Sequence, residues 1–368
     1  MPDKESLFWI YSAYYFFIVG FTILVNGILL KFSRSLGIRD ASTTVIRWSA
    51  VSKPALGGIT FFLAFLITIS TFSIFFPGAL VFHNKPVLGL ISICIIAFMM
   101  GLADDAYNTK PLLKLFVQIA CGVILYFTEN YIKITPWEWL NIFLTLLWVV
   151  GIMNSINMLD NMDGITTVVS IGIILMFMTS QVFTGSAGDF DLVILLAVMA
   201  SLIGFLFHNW HPSKMFMGDT GSQFLGAFLA YYGIRYFWNG LDHSAVPVQA
   251  KQFTLVLIGF MVPFIDTTIV VINRIARGQS PMVGGKDHTT HHLSYLGFSD
   301  AQVAFIFIAL NSISLLFVFI IIRIIDDWSH LFTLLFWSYF LIVFLIMFLI
   351  TRKNGNHGGS KKETKQQA

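Results

Sequence analysis

Long apolar segments alternate with short polar segments along almost the whole chain. A helix needs about 20 mostly apolar residues to cross a bilayer, and eleven segments approach or reach that length. The predicted helices lie at about 7–30, 57–76, 87–103, 112–128, 138–158, 165–183, 191–207, 221–239, 252–272, 301–325 and 330–350. The pattern predicts an all-α integral membrane protein with about eleven transmembrane helices. Residues 1–350 would form one polytopic membrane domain, and the polar, basic residues 351–368 a flexible tail.

The distribution of Lys and Arg predicts the orientation of these helices. Only six of the 22 basic residues fall on one predicted face of the membrane: Lys4, Lys85, Lys133, Arg235, Lys251 and Arg323. The other 16 fall on the opposite face, and basic loops favour the cytoplasm. We therefore expect the N-terminus outside the cell and the C-terminus in the cytoplasm.

Composition agrees with a membrane protein and limits its partners. The 368 residues are 57% hydrophobic and 11% charged, whereas soluble domains carry about 25% charged residues. A net charge of +3 is too small to indicate a nucleic-acid partner, and membrane lipids are the expected surroundings. Cys94 and Cys121 lie inside apolar segments, so we expect packing residues rather than a disulfide or a metal site.

The most unusual polar stretch runs from Asn154 to Gly164, between two apolar segments. Asn154, Asn157, Asp160 and Asp163 recur at every third position, so the end of a helix would place them near one face. Amide and carboxyl groups at membrane depth are costly and usually mark a functional polar site. The alternative is a simple turn, because Asn and Asp are common turn residues.

Further acidic residues lie at predicted helix ends. Asp104 and Asp105 are adjacent carboxylates, which repel one another unless a cation or a proton relieves them, and Lys114 follows nine residues after Asp105. A solvated pair in a loop is the alternative. Asp219, which precedes the eighth predicted helix, could be a helix N-cap. It could also bind Mg²⁺, which prefers oxygen ligands and often joins carboxylates to substrate phosphates.

Basic residues and histidines complete the set. Lys53 lies close to a pair of glycines, where it could meet a substrate phosphate or a lipid headgroup. The loop after the ninth predicted helix contributes three histidines: His288, His291 and His292. They suggest an anion site, and a Zn²⁺ site is the less favoured alternative because no Cys accompanies them. Asp266, two helical turns before Arg274, could form a structural ion pair with it.

All the dense polar clusters fall on the predicted cytoplasmic face. Carboxylates for a divalent cation, with Lys and His for phosphates, favour phosphoryl transfer onto a lipid. Such chemistry needs positioning and charge neutralisation more than covalent catalysis. The alternative from another class is a secondary transporter for an anionic solute. A transporter would place its polar residues near the bilayer midplane, often in two related halves, and no internal repeat is visible.

Four segments resemble the polyprenyl-phosphate N-acetylhexosamine-1-phosphate transferase family, whose members are integral membrane enzymes that start bacterial cell-surface glycans. The segments occur in the family's order and extend over roughly residues 50–300. They are Gly101–Asp105 with Lys114–Gln118, Asn154–Gly164, Phe216–Ser222 and His288–Leu293. Asn161 stands at a position where the family frequently has Gly.

The resemblance implies transfer of a sugar 1-phosphate from a UDP-N-acetylhexosamine to undecaprenyl phosphate, with UMP as the second product. It implies Mg²⁺ as the cofactor, with Mn²⁺ as a substitute, and Asp219 and Asn157 as its ligands. The implied catalytic residues are Asp104, Asp105, His291 and His292. The implied substrate-binding residues are Lys53, Lys114, Asn154, Asp160, Asp163 and His288.

The histidine segment distinguishes two branches of this family. Enzymes of peptidoglycan synthesis that use UDP-MurNAc-pentapeptide have a longer His run with a nearby Glu, whereas here only His291 and His292 are adjacent. The resemblance therefore favours UDP-GlcNAc, with the phospho-MurNAc-pentapeptide enzyme as the alternative. It implies a multi-pass protein of the bacterial inner membrane with its active site on the cytoplasmic face, and a homodimer is compatible with it.

Overall fold

The computed structural model describes residues 4–35, 53–184, 189–240, 248–281 and 284–354. The α-helices in these ranges are α1 (Lys4–Ser35), α2 (Gly57–Phe75), α3 (Lys85–Tyr107), α4 (Pro111–Phe127), α5 (Glu138–Leu159), α6 (Ile165–Thr184), α7 (Asp189–Asn209), α8 (Gly218–Gly233), α9 (Ala250–Gly259), α10 (Met261–Ala276), α11 (Thr289–Tyr295), α12 (Asp300–Phe319) and α13 (His330–Asn354). A π-helical turn continues α8 over Ile234–Trp238, and another continues α12 over Ile320–Ile324. Most of the predicted tail, residues 355–368, lies outside the described residues.

Eight of the described helices are long and apolar enough to cross a membrane, and the bent pair α9–α10 would make a ninth span. The all-helical membrane class is therefore confirmed. Each of the eleven predicted segments coincides with helix, but α4 has only 17 residues, which is short of the length of ~20 that a bilayer requires. The 16 residues of α8 reach that length only with the π-helical turn of 5 residues that continues it. The number of eleven spans and the orientation remain predictions.

The helix predicted at 252–272 is broken in the structure. Its two parts, α9 and α10, meet at 78° around Phe260. Pro263 has no N–H to bond the carbonyl of Gly259 four residues earlier, so the hydrogen-bond ladder is interrupted there. Gly259 also packs closely on Phe237, since a Cβ at this position would lie 2.2 Å from a ring carbon. The prediction of one continuous helix was wrong, and the Gly and Pro four positions apart were the overlooked signal.

Close backbone packing of α2 and α3 against α8 positions the site. A Cβ on Gly58 would lie 2.1 Å from the backbone nitrogen of Gly221, and a Cβ on Gly101 would lie 2.2 Å from the carbonyl oxygen of Asp219. Only glycine permits helices to approach this closely. Buried aromatic rings continue the contact between α2 and α8: Phe65, Phe224 and Phe228. The first turn of α8 is therefore held against two other helices.

Candidate active site

Asp219 lies in the first turn of α8, and its carboxylate contacts side chains of two other helices. The Nδ2 of Asn157 donates to one oxygen at 2.7 Å, and the Nζ of Lys114 lies 3.0 Å from the other. The N-cap position belongs to Met217, so Asp219 is not the N-cap of α8. The same lysine lies 2.5 Å from Asp104 and therefore bridges two carboxylates.

The adjacent carboxylates at the end of α3 have different partners. Asp104 is buried and accepts hydrogen bonds from the N–H and the hydroxyl of Thr109, at 2.8 and 2.6 Å. Asp105 accepts from the N–H groups of Asp219 and Thr220, at 3.0 and 2.8 Å, and from the Thr220 hydroxyl at 2.7 Å. Because the first N–H groups of a helix lack partners within it, Asp105 caps α8 from a neighbouring helix. These two are not a solvated loop pair.

Amide side chains connect α4, α5 and α8 next to this group. The Nδ2 of Asn154 donates to Gln118 at 2.7 Å, and Gln118 donates to Gln223 at 3.3 Å. Asn157 also donates to the hydroxyl of Ser222 at 2.8 Å. The motifs pointed to Asn154 and Asn157, whereas Gln118, Ser222 and Gln223 were not predicted as site residues. Together these amides fix the end of α5 relative to the start of α8.

A second group surrounds the Asp163 carboxylate. The Nζ of Lys53 lies 3.3 Å from Asp163 and 2.8 Å from the hydroxyl of Ser213, which itself donates to Asp163 at 2.7 Å. The Nδ1 of His211 lies 3.3 Å from Asp163 and 3.4 Å from Asp300. Burial alone would raise the pKa of Asp163, but the hydrogen bonds from Ser213 and the charge of Lys53 outweigh it and hold this pKa below its usual value.

Backbone hydrogen bonds bring Lys53 to the start of α8. The N–H of Phe216 donates to the carbonyl of Pro54 at 3.0 Å, and the N–H of Gly57 donates to the carbonyl of Phe216 at 3.2 Å. The ammonium group of Lys53 lies 4.9 Å from the centre of the Phe216 ring. The segment before α2 therefore runs beside the segment that leads to Asp219.

The third group is the histidine segment. The Nδ1 of His288 lies 2.8 Å from Asp266, which also accepts from the N–H of Thr289 at 2.8 Å. The proposed pairing of Asp266 with Arg274 is wrong. Arg274 instead donates to both oxygens of Asp287, at 3.0 and 2.7 Å, because the loop after α10 returns towards the end of that helix.

His291 and His292 follow on the short helix α11, and both are buried. Burial, with the neighbouring His288 as the smaller cause, lowers the pKa of His291 to about 3. Burial also lowers the pKa of His292. With this pKa, His291 is neutral near pH 7 and contributes no positive charge there.

The turn from Asn157 to Asp163 connects all three groups. Its first residue contacts Asp219 and its last contacts Lys53, while Asn161 accepts a hydrogen bond from the hydroxyl of Thr290 at 2.6 Å. Asp160 lies within this turn, where its N–H donates to the carbonyl of Asn157 at 3.3 Å. The predicted site residues therefore lie in these three groups or in the turn that connects them. Their chemical roles remain predictions.

The fold and these groups together define a class of protein. It is a helical membrane protein whose acidic, amide and histidine side chains gather at the ends of its helices. Residues 87–237, which include the first three of the four motifs, match the profile of glycosyl transferase family 4.

Individual relatives extend this match. The chain is 30% identical over 262 residues to the probable undecaprenyl-phosphate N-acetylglucosaminyl 1-phosphate transferase of Bacillus subtilis strain 168, covering 67% of this chain and 68% of that protein. It is 28% identical over 238 residues to the phospho-N-acetylmuramoyl-pentapeptide-transferase of Streptococcus agalactiae serotype Ia, covering 59% and 66%. The enzyme of that name from Kosmotoga olearia is 29% identical over 270 residues, covering 69% and 78%.

The chain thus spans about two thirds of the length of the first two of these relatives. It belongs to glycosyl transferase family 4. The resemblance that the four sequence segments indicated is confirmed.

Proposed function

We propose that this protein transfers N-acetylglucosamine 1-phosphate from UDP-N-acetylglucosamine to undecaprenyl phosphate and releases UMP, and so starts a cell-surface glycan. The activity named for the Bacillus subtilis relative and the short histidine run support this choice of sugar. The observation that carries the proposal is the contact of Lys114 with both Asp104 and Asp219 beside Asn157. The excess of basic residues on this face supports a site on the cytoplasmic side of the inner membrane.

The residues around Asp219 fit Mg²⁺. The carboxylates of Asp104 and Asp219 both contact the ammonium group of Lys114, and the carboxylate of Asp105 accepts from the N–H of Asp219. Mg²⁺ favours such oxygen ligands together with substrate phosphates, and when bound it would neutralise charge on the diphosphate. Asp219 would hold the ion. Asn157 now directs its amide nitrogen at Asp219, so a ligand role requires the opposite orientation of its amide.

The two adjacent carboxylates then take different roles. Both carboxylate oxygens of Asp105 accept hydrogen bonds from the first turn of α8, and Asp105 thereby positions Asp219. Asp104 is buried as well, but it contacts Lys114 and can act on the substrate through that lysine. The phosphate of the lipid has a second pKa near ~6, so it is mostly dianionic at pH 7. A base therefore contributes little, and we assign Asp104 and Lys114 to placing the attacking phosphate.

The remaining groups bind the nucleotide sugar. Lys53, oriented by Asp163, would neutralise the diphosphate, and Asn154 and Asp160 would position the nucleotide beside it. The three histidines would donate hydrogen bonds to the phosphates as charge develops, a form of stabilisation that depends on fixed geometry: His288, His291 and His292.

The test uses purified protein in detergent with undecaprenyl phosphate, Mg²⁺ and a panel of UDP-sugars. We expect UMP release with UDP-N-acetylglucosamine, and a lipid product that carries the sugar and two phosphates. UMP release with UDP-MurNAc-pentapeptide alone would assign the protein to the second activity, which the names of the Streptococcus agalactiae and Kosmotoga olearia relatives support. Absence of UMP release with every UDP-sugar would reject the proposal.

A further inference from the structure

His211 was not among the residues that the motifs indicated, yet it contacts the Lys53–Asp163 pair. Its Nδ1 lies 3.3 Å from the Oδ2 of Asp163 and 3.4 Å from the Oδ2 of Asp300. The three residues come from the turn between α5 and α6, the loop between α7 and α8, and the first turn of α12. Only the fold brings them together.

The Asp163 carboxylate is shared unequally among its partners. Ser213 makes the shorter contacts, at 2.7 Å from its hydroxyl and 3.0 Å from its N–H. Lys53 and His211 both lie 3.3 Å from the same Oδ2, which is longer than the roughly 2.7–2.9 Å of a typical charge-assisted hydrogen bond. Since His211 and Lys53 contact the same oxygen of Asp163, the position of the His211 ring limits the positions that the ammonium group of Lys53 can occupy.

Asp300 connects His211 to the helix that follows the histidine segment. It is the first residue of α12, directly after the capping residue Ser299. The neighbouring Trp210 strengthens this connection, because its ring packs at 5.6 Å against that of Phe305 on α12. His211 is therefore anchored on one side by α12 and contacts the candidate site on the other.

We propose that His211 is a positioning residue of the nucleotide-sugar site. It holds Asp163, and through Asp163 the ammonium group of Lys53, in the orientation that binds the diphosphate of the UDP-sugar, with Asp300 as its anchor. This inference rests on the proposed function.

A divalent cation is the competing explanation for this cluster. Ligand atoms of Asp163, His211 and Asp300 all lie within 4.8 Å of one another, a spacing that an ion could use. The ammonium group of Lys53, 3.3 Å from the same Asp163 oxygen, already supplies positive charge there, as Lys114 does at Asp219. A titration with Mn²⁺ distinguishes the two explanations.

The test compares three substitutions of His211 that differ in the position of the remaining N–H donor. His211→Asn keeps an N–H near the place of Nδ1, His211→Gln moves it towards the place of Nε2, and His211→Ala removes it. With UDP-N-acetylglucosamine as the varied substrate, we expect KM to rise about three- to tenfold for Ala and Gln, the range of a partly exposed bond to a charged group. The Asn variant should recover most of the wild-type KM, and kcat should change less than KM.

The matched control is His330→Ala, which removes an exposed histidine at the start of α13 and should leave KM unchanged. An unchanged KM in His211→Ala overturns the inference, as does a parallel loss of kcat in all three variants without recovery by Asn. Titration of the wild type and His211→Ala with Mn²⁺ alone addresses the competing explanation. A binding event lost only in the variant would assign the cluster to a cation and also overturn the inference.

Failure of the proposed function would look different. If the wild type released UMP from no UDP-sugar, amide hydrogen exchange would test instead whether His211 holds Asp163 in position. Exchange over residues 160–164 should then be faster in His211→Ala than in the wild type, and close to wild type in His211→Asn. Equal exchange in all three proteins would overturn it.

Discussion

The two ends of α8 both hold charged groups, but in different proportions. At the N-terminal end, the two carboxylates of Asp104 and Asp219 both contact the ammonium group of Lys114. At the C-terminal end, one carboxylate faces one guanidinium group, because Asp191 of α7 lies 2.7 Å from Arg235 in the π-helical turn after α8. Among the described contacts, the first end has more carboxyl groups than cationic groups, whereas the second end has one of each.

This difference separates a candidate site from a structural contact. The Asp191 side chain is 4% exposed and also accepts a hydrogen bond from Tyr232 at 3.2 Å. A buried charge is costly unless it is paired, so the pair with Arg235 fixes α8 against α7. Unbalanced carboxylates are also costly, and they persist where a cation or a substrate completes the charge. The imbalance, rather than the number of charged groups, marks the site.

Removing Asp219 should produce the largest effect on catalysis. Asp219→Ala should lower Mg²⁺-dependent UMP release by roughly a thousandfold or more, because it deletes the proposed ligand and its charge stabilisation. Chelation with EDTA should lower the wild-type rate similarly and have no further effect on the variant. The amount of folded protein recovered in detergent should stay close to wild type. Retained Mg²⁺-dependent turnover would show that the excess charge at this end has another purpose.

Breaking the pair at the other end should affect stability instead. Asp191→Asn leaves the guanidinium group of Arg235 without its counter-charge, and we expect a loss of about 2–3 kcal/mol in the free energy of unfolding. Because Asp191 lies at the opposite end of α8 from Asp219, kcat of the folded fraction should stay within about twofold of wild type. Equilibrium unfolding in mixed micelles measures the first quantity, and Arg235→Lys, which keeps the charge, is the milder control. A catalytic loss without a stability loss would make this end functional too.

Removing Asp105 should give a mixed result, which distinguishes it from its neighbour. Asp105→Ala deprives the first turn of α8 of its acceptor, so unfolding should become easier by about 1–2 kcal/mol, the size of a lost helix cap. Turnover should fall as well, because Asp219 loses its fixed position, and Asp105→Asn should recover part of both losses. Asp104→Asn should lower turnover with little change in stability. If Asp105→Asn were inactive yet as stable as wild type, Asp105 would act on the substrate.

The sequence predicted those parts of the fold that depend on local pattern. The helix expected at 138–158 is observed at Glu138–Leu159, because apolar length and polar ends constrain a membrane helix tightly. The spacing of Asn154, Asn157 and Asp160 placed them at one helix end, as the structure does. Confirmation of the family also follows from such local motifs, since each needs only a few residues in order.

Features that depend on packing between distant segments could not be predicted from the sequence. Asp105 caps a helix more than one hundred positions later in the chain, which no spacing rule reveals. Helical spacing placed Asp266 and Arg274 on one face, but it contained no information on the loop that returns Asp287 to Arg274. His211, Ser213 and Asp300 lay in ordinary polar loops and carried no signal until the fold joined them to Asp163.

The smallest expected effect is on the pH dependence of the free energy of unfolding. The candidate site contains the buried His291. The C-terminal end of α8 instead relies on the guanidinium group of Arg235, which remains charged at all accessible pH values. The pKa of His291 is about 3 in the folded protein and about 6.5 in an unfolded chain. Stability from this residue is therefore complete above pH 6.5 and is lost progressively as the pH falls towards 3, because only the unfolded chain takes up the proton. Between pH 7.5 and 5.5 the free energy of unfolding of the wild type should fall by about 1.4 kcal/mol because of this group. The His291→Gln variant should not show this part of the decrease. Parallel stability curves for the two proteins would show that folding does not lower the pKa of His291.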